Sequence, residues 1–156
     1  MPNNFQRKGI KSNTQIGIDF ENLVITALEY NFGLKLQKRI RIPIGLHEKK
    51  DKIFDLGSIE QKIIIECKSH TWTESGNVPS AKVNAFLYDM YCLSLLPKGY
   101  QKIFVMQKCF SKKRNLTLCE YYIKNKNHLI PQDLLIYEFD CDSGKLLVKK
   151  QAIIMK

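Results

Sequence analysis

Two acidic residues and a lysine stand where an apolar segment of the chain ends. Asp55 precedes Glu66 by eleven positions, Glu66 directly follows the apolar run at 63–65, and Lys68 comes two residues later. The run is typical of a buried strand. Side chains two apart in a strand share a face, so Glu66 and Lys68 are predicted to project together, while Cys67 projects into the opposite layer.

These side chains have the composition of a metal-dependent phosphodiesterase site. Mg²⁺ prefers oxygen ligands and retains several waters, so one or two carboxylates and a substrate phosphate are enough to hold it. Asp55 and Glu66 are the candidate ligands. The ammonium of Lys68 suits stabilisation of charge on the attacked phosphate and positioning of the attacking water. The alternative is an ordinary ion pair between Glu66 and Lys68, since exposed pairs at strand ends are common and weak.

The acid-x-Lys pattern alone carries little information because it recurs in this chain. It also occurs at Glu48 and Lys50 and at Glu60 and Lys62. The first pair lies in a charged stretch, and the second precedes the apolar run. Only residues 66–68 combine the end of a predicted buried strand with an aspartate on the segment before it.

A helix is predicted upstream, from Asn13 or Thr14 as a cap to a stop at Gly33, because its apolar residues recur at helical spacing. Gly17 and Glu21 are four residues apart and therefore share one side of this helix. A glycine there is expected to let the helix approach the sheet and bring Glu21 near the carboxylates. The alternative is that Glu21 is a solvated helix residue.

Order and spacing together define a motif of residues from the helix and the two strands: Gly17-x-x-Phe20-Glu21, Asp55 and Glu66-Cys67-Lys68. Over residues 13–106 this motif resembles that of the PD-(D/E)xK nuclease superfamily, which has the restriction-endonuclease-like fold. The order of predicted elements, namely helix, strand, hairpin, helix and strand, is also similar. The chain departs from the family pattern in that no proline precedes Asp55.

The resemblance implies an α/β fold, a three-layer α/β/α sandwich with a mixed central sheet. It implies that Asp55 and Glu66 ligate Mg²⁺, with help from the backbone carbonyl of Cys67, and that Mn²⁺ can substitute. It also implies that Lys68 positions or activates the water and that Glu21 is an accessory ligand or orients waters near the metal.

The strands around Asp55 are predicted from alternation and turn composition. Residues 36–44 place isoleucines on one face and Arg39 and Arg41 on the other, which predicts a strand near an edge with one basic, wet side. The segments 52–57 and 62–68 predict a hairpin that pairs the strand bearing Asp55 with the strand bearing Glu66. Arg39 and Arg41 are candidate contacts to nucleic-acid phosphates.

The segment 69–80 has loop composition and leaves directly from the predicted catalytic strand. Trp72 in this loop is a candidate for stacking on a base, although a lone tryptophan more often anchors a loop to the core. A second helix is predicted from Ser80, or one residue later, to Pro97, with apolar residues all round it. Lys82 in its first turn is a candidate phosphate contact.

The C-terminal third predicts a strand at 102–106, a basic turn, a third helix capped by Asn115 and running to Lys124, and a hairpin around the turn at 142–144. The basic turn supplies three more candidate contacts to nucleic acid, namely Lys112, Lys113 and Arg114.

The charge distribution favours an anionic partner. The net charge is +10, with nine basic and four acidic residues at 1–50 and eight and one at 98–128. The segment 51–97, with four basic and six acidic residues, coincides with the proposed metal site. A basic surface around an acidic pocket suits an enzyme that binds phosphates. The alternative is a lysine-rich surface that is merely solvated.

The length of 156 residues predicts one domain, here at 13–156, after a flexible basic arm at 1–12. The five cysteines are odd in number and lack a zinc-site spacing, so they are predicted to be reduced thiols. No apolar run is long enough to span a membrane, which favours a cytoplasmic location.

These patterns predict a Mg²⁺-dependent DNA endonuclease of the restriction type. Cleavage of both strands of a duplex by so small a subunit favours a homodimer. A Holliday-junction or other structure-specific nuclease remains open, and RNA is not excluded as a substrate. A noncatalytic nucleic-acid-binding protein is the alternative from another class.

Overall fold

The apolar segments of the chain form one six-stranded sheet with helices packed on both of its faces. A computed structural model describes residues 12–154. Over this range the helices are α1 (Asn13–Phe32), α2 (Ser80–Ser94) and α3 (Leu118–Lys126), with a short 3-10 turn at Asn127–Leu129. The strands are β1 (Gln37–Ile44), β2 (Lys50–Ser58), β3 (Ile63–Lys68), β4 (Gln101–Gln107), β5 (Phe110–Ser111), β6 (Leu116–Thr117), β7 (Leu134–Asp140) and β8 (Lys145–Lys150).

The sheet is mixed, as predicted. Its strand order is β1-β2-β3-β4-β7-β8. The central strands β3, β4 and β7 are parallel, whereas β1, β2 and β8 pair antiparallel with their neighbours. The predicted hairpin of β2 and β3 is present, with Leu56 opposite Ile65. The C-terminal hairpin is also present, with Asp140 opposite Lys145 around the predicted turn.

Each face of the sheet has its own apolar core. On one face Phe20, Val24 and Leu28 of α1 pack against β2, β3, β4 and β7, and this core includes Leu56 and Ile65. The other face is covered by α2 and α3. Its core contains six large side chains contributed by those helices and the sheet, Phe54, Phe86, Met90, Phe104, Tyr122 and Ile136. Burying one side chain of this size contributes roughly 1.5–3 kcal/mol to the free energy of folding. The helices on both faces therefore stabilise the sheet by covering its apolar side chains.

Helix α3 begins later than predicted. Its N-cap is Thr117, whose hydroxyl accepts from the backbone N–H of Glu120 while the Glu120 carboxylate accepts from the N–H of Thr117. This capping box is the stronger start signal. Asn115 instead lies in the turn between β5 and β6 with φ of 54°, a left-handed conformation that asparagine tolerates better than most residues. The β5–β6 hairpin was not predicted, because two-residue strands leave no alternation to detect.

Two further expectations are corrected by the structure. The apolar residues all round α2 suggest a helix buried on every side, but Tyr88 and Tyr91 are exposed on its outer side. Gly17 is not needed for close packing of α1, since a Cβ at this position would meet no atom within 4 Å. Of the predicted basic arm, residues 1–11 lie outside the described residues, and Ser12 caps α1 by accepting from the N–H of Gln15. Within residues 12–154, no helix is long and apolar enough to cross a membrane.

Replacing Thr117 with alanine tests the capping box. Thr117→Ala leaves the N–H of Glu120 without its acceptor, so we expect the free energy of unfolding to fall by about 1 kcal/mol. Urea denaturation followed by circular dichroism measures this change. The control Thr14→Ala, at an exposed site in the first turn of α1, should change stability by less than about 0.5 kcal/mol. An unaltered midpoint for Thr117→Ala contradicts the assignment.

Candidate active site

The backbone pairing between strands β2 and β3 ends just before the candidate catalytic residues. The last β2–β3 pair toward this end joins Leu56 and Ile65. Beyond it, the backbone N–H of Cys67 donates to Asp55 Oδ2 at 2.8 Å. A side-chain carboxylate thus takes the position that a carbonyl of β2 would occupy in a continued ladder. Asp55 is fixed against the end of β3 by this bond.

The regular alternation of β2 side chains between the two faces of the sheet is interrupted at Asp55. Phe54 packs in the α2 core and Leu56 in the α1 core, although residues two apart in a regular strand share a face. Strand β1 is also irregular beside Asp55, since Arg39 has a φ of 55°. Pairing is retained on either side, with Lys38 opposite Leu56 and Ile40 opposite Phe54. The irregularity places Asp55 between the two layers.

Glu66 and Lys68 project together on the α2 face, as predicted. Lys68 Nζ lies 3.3 Å from Glu66 Oε2. The Glu66 side chain is 3% exposed, and its Oε1 has no hydrogen-bond partner among residues 12–154. Burial raises the pKa of Glu66 to about 8, and the negative charge of Asp55 adds to the increase. Asp55, Glu66 and Lys68 therefore converge, and Asp55 is close enough to Glu66 to disfavour ionisation of the Glu66 carboxyl group.

Two charged residues that the sequence analysis did not single out complete this group. Asp89 of α2 accepts from Lys68 Nζ at 2.7 Å and lies 3.5 Å from Lys52 Nζ of β2. Lys52 Nζ in turn lies 3.8 Å from Glu66 Oε1. Glu66, Lys68, Asp89 and Lys52 thus form a closed ring of alternating charges, called the charge ring below. A sequence signal existed, because Asp89 stands within the buried stripe of α2, next to Met90 and three residues after Phe86.

The charge ring keeps Lys68 protonated. Burial lowers the pKa of Lys68, but the charges of Glu66 and Asp89 outweigh burial, so the net shift is upward. Its ammonium is a permanent positive charge at neutral pH. Lys68 can therefore stabilise and orient anionic groups, but it cannot take a proton from water.

Glu21 approaches the carboxylates from the opposite layer. It lines the same cleft as Asp55 and Lys68. Burial raises the pKa of Glu21, the charge of Asp55 raises it further, and Lys38, whose Nζ lies 3.6 Å away, opposes both effects. Glu21 thus lies near Asp55, and this proximity arises from the placement of α1 rather than from the glycine at position 17.

The backbone of Cys67 is turned toward this group, and its side chain is not. The thiol packs in the α1 core, and burial raises its pKa. The N–H and C=O of one residue point to the same side of a strand. Since the N–H of Cys67 is directed to Asp55, its carbonyl also points toward the β2 side, beyond the last pair of the ladder.

The donor set fits a cation that keeps much of its own water. Among residues 12–154, no three His, Cys, Asp or Glu side chains are grouped closely enough to hold a metal ion by themselves. Two neighbouring carboxyl groups, Asp55 and Glu66, are present instead; the pKa of Glu66 is raised, and one of its oxygens lacks a hydrogen bond. This arrangement suits Mg²⁺, which needs only one or two protein carboxylates.

A cleft of about 840 Å³ is lined by Asp55, Glu21 and Lys68, with Glu66 buried behind its wall. One wall is the start of α1, and the other is the loop that follows β3 together with the start of α2. His70 lies in this cleft, with its ring 5.5 Å from that of Phe86 in an edge-to-face arrangement. Burial lowers the pKa of His70, and the charges of Lys82 and Lys68 lower it further, so His70 is neutral at pH 7.

Trp72 is an anchor of the loop and not a free stacking platform. Its side chain is buried, and its indole N–H donates to the carbonyl of Cys109 at 2.9 Å. The guanidinium of Arg114 covers the ring, 5.2 Å from its centroid, and Arg114 Nε donates to the carbonyl of Gly76 at 3.3 Å. The predicted roles of Trp72 in base stacking and Arg114 in phosphate contact are corrected, because both side chains join the loop to the β5–β6 hairpin.

The remaining candidate contacts lie on the surface near the cleft. Lys112 and Lys113 are exposed on the hairpin beside the loop, and Lys82 is exposed at the start of α2, where it lines the cleft. Arg39 lines a second, smaller cleft with Glu21 and Asp55. Arg41 is exposed on β1 but pairs with Asp51 at 3.6 Å, so it is less free to bind a phosphate.

Similarity searches find no matching protein-family model, no matching curated protein and no matching solved structure.

The raised pKa of Glu66 predicts a pH-dependent cost to folding. Between about pH 4.5 and about pH 8 the folded chain retains a proton on Glu66 that the unfolded chain releases, so its stability falls as pH rises through this window. Glu66→Gln removes the titrating group. We expect the difference in free energy of unfolding between Glu66→Gln and the wild type to grow in favour of the variant from pH 5 to pH 8.

Urea denaturation at pH 5, 6.5 and 8 measures this difference. Glu48→Gln, at an exposed position, is the matched control and should follow the wild type at every pH. If the free energies of unfolding of Glu66→Gln and the wild type change in parallel with pH, the pKa of Glu66 is not raised by folding.

Proposed function

We propose that this protein is a divalent-metal-dependent DNA endonuclease that hydrolyses phosphodiester bonds, with a restriction-endonuclease-like fold. The observation that carries the proposal is the convergence of Asp55, Glu66 and Lys68 at the end of β3, beside a cleft. Two acids and a permanently charged amine, held partly out of water, are what hydrolysis of a phosphodiester on a metal ion requires.

The element order supports the fold assignment. A helix bearing Glu21 precedes a strand and the β2–β3 hairpin, and α2 and the parallel strand β4 follow. Helices cover both faces of the mixed sheet. This arrangement agrees with the three-layer sandwich that the sequence motif implies.

In this proposal, Asp55 and Glu66 hold Mg²⁺ or Mn²⁺, and the backbone carbonyl of Cys67 contributes a third oxygen. A metal ion held there would supply a Lewis acid for the scissile phosphate and for a bound water. Glu66, whose pKa burial raises, would have to be ionised to serve as a ligand. Glu21 faces the same cleft and orients water near the two acids.

Lys68 acts as a fixed cation. Because neighbouring carboxylates raise its pKa, it stabilises negative charge on the attacked phosphate and orients the attacking water by hydrogen bonding, and it does not act as the base. This assigns Lys68 the positioning role, out of the two roles that the sequence motif allows.

The basic surface supports DNA as the substrate. Lys82 lines the cleft, and Lys112 and Lys113 stand on the hairpin next to its outer wall. Phosphate contacts of this kind release counterions and give affinity that depends on salt. A homodimer brings two such sites to a duplex, as cleavage of both strands requires.

One observation favours the noncatalytic alternative. Lys52 and Lys68 already contact both oxygens of Glu66 in the charge ring, so Glu66 is partly neutralised without any metal. A nucleic-acid-binding protein with this ring as a structural element would bind DNA in a salt-dependent manner and release no products with Mg²⁺.

Substitution of the three converging residues separates these functions. Asp55→Asn, Glu66→Gln and Lys68→Ala should each lower Mg²⁺-dependent cleavage at least about 100-fold, in line with the loss of one electrostatic contact in a transition state, while DNA affinity changes little. Gel assays of cleavage and fluorescence anisotropy measure the two properties.

Linear duplex and four-way junction substrates are compared in the same assay to distinguish restriction-type from junction-specific cleavage. Glu48→Gln is the matched control for an exposed acid. Full activity in any of the three variants refutes the role assigned to that residue, and absence of cleavage by the wild type on all substrates supports the noncatalytic alternative.

The exposed lysines predict the salt dependence of binding. Lys112→Ala and Lys113→Ala should each weaken DNA binding regardless of sequence and reduce the slope of log affinity against log salt by about 1. Lys35→Ala, at an exposed site between α1 and β1, should leave the slope unchanged. Titrations between 50 and 200 mM salt, which are roughly the range where such contacts are resolved, measure the slopes. Equal slopes for all variants contradict the assigned surface.

A further inference from the structure

The charge ring contains one acid that the proposed reaction does not use. Asp89 contributes one oxygen to each of the two lysines, Oδ2 to Lys68 at 2.7 Å and Oδ1 to Lys52 at 3.5 Å. Its side chain is only 15% exposed, and it does not line the cleft in the part of the chain that the structure describes. Asp89 therefore makes its ion pairs with the two lysines, behind the cleft lining.

Both lysines lie closer to Asp89 than to Glu66. Lys68 Nζ is 2.7 Å from Asp89 and 3.3 Å from Glu66, and Lys52 Nζ is 3.5 Å from Asp89 and 3.8 Å from Glu66. Coulomb attraction increases as distance falls and is stronger away from bulk water. Asp89 is thus the nearer counter-ion of both ammonium groups.

This preference decides whether Glu66 can accept a cation. Without Asp89, the ammonium groups of Lys52 and Lys68 would both face the single carboxylate of Glu66. They would neutralise its charge and occupy the space on its α2 side. With Asp89 present, an ionised Glu66 completes a ring of two negative and two positive charges, and Asp55, which accepts from the N–H of Cys67 and lines the cleft, lies outside this ring. A divalent cation then has carboxylates to bind.

We propose that Asp89 is a positioning residue that draws Lys68 and Lys52 away from Glu66 and so keeps Glu66 and Asp55 competent to bind a divalent cation. This inference rests on the proposed function, in that the cation is the metal of the nuclease site. Asp89 sets the cation affinity through the two lysines without touching the metal.

Mn²⁺ binding to the full chain in the absence of DNA tests the inference directly. Isothermal titration calorimetry and electron paramagnetic resonance of free Mn²⁺ give the dissociation constant. Asp89→Asn keeps the shape and one oxygen acceptor but removes the charge, and we expect about tenfold weaker Mn²⁺ binding, the effect of roughly one partly buried ion pair. Asp89→Glu should restore affinity to within about threefold of the wild type on the same scale.

Two further variants separate positioning from general effects. Lys52→Met removes one of the ammonium groups that compete for Glu66, so Mn²⁺ should bind as tightly as in the wild type or more tightly. A purely structural role for the ring predicts weaker binding in both Asp89→Asn and Lys52→Met. Glu74→Gln removes an exposed acid that lines the cleft, and it should change Mn²⁺ affinity by less than about twofold if the effect of Asp89 is local.

The outcomes are distinguishable. Weaker Mn²⁺ binding in Asp89→Asn, with rescue by Asp89→Glu and no loss in Lys52→Met, supports the inference. Unchanged binding in Asp89→Asn, or equal losses in Asp89→Asn and Lys52→Met, overturns the inference and leaves the nuclease proposal standing. Absence of Mn²⁺ binding by the wild type overturns both. If Asp89→Asn does not fold, as judged by circular dichroism, the Lys52→Met variant decides. Weaker Mn²⁺ binding than in the wild type then overturns the inference, and equal or tighter binding supports it.

Discussion

The hydrogen bond from the backbone N–H of Cys67 to Asp55 determines where the candidate site lies. It ends the β2–β3 ladder with a side chain in place of a carbonyl, so the last residues of β3 are free of β2 on one side. A donor left unpaired at this depth would cost about 1–3 kcal/mol. The bond therefore contributes to stability and at the same time brings a carboxylate to the end of the strand that bears Glu66 and Lys68.

Electrostatic balance is the second constraint on the site. Glu66 is almost completely buried, and ionised carboxylates are costly to bury unless they are paired. Lysines from β2 and β3 offset this cost only in part, since burial still raises the pKa of Glu66, and Asp89 on α2 pairs with both lysines. The charge ring is thus assembled from β2, β3 and α2, so the helix layer over the sheet contributes to its electrostatics as well as to its packing.

Strong periodic and turn signals in the sequence predicted the long first helix and the β2–β3 hairpin, whereas the mixed sheet was expected from the resemblance of the motif. The candidate site residues were identified from the sequence because they stand at the ends or on the sides of those elements; they are Glu21, Asp55, Glu66 and Lys68. Lys52 and Asp89 were not, since their roles depend on the packing of α2 over β2 and β3. The position of Asp89 in the buried stripe of α2 was a local signal that it is partly buried, but that signal does not say which charges it meets across the sheet.

Errors in the sequence analysis have physical causes of the same kind. Trp72 and Arg114 are 42 positions apart in the chain, and only the folded loop reveals that the guanidinium covers the indole ring. Asn115 had the composition of a helix cap, but Thr117 and Glu120 satisfy two backbone N–H groups reciprocally and therefore define the start of α3. Gly17 was assigned a packing role that its open surroundings do not require.

The contact of Arg114 with Trp72 and Gly76 also has an evolutionary consequence. It fastens the outer wall of the cleft to a hairpin that contributes nothing to the six-stranded sheet. Changes of length or sequence in that hairpin would reshape the cleft while leaving Asp55 and Glu66 untouched. In the proposed nuclease, substrate preference could therefore diverge without any change in the residues assigned to hydrolysis.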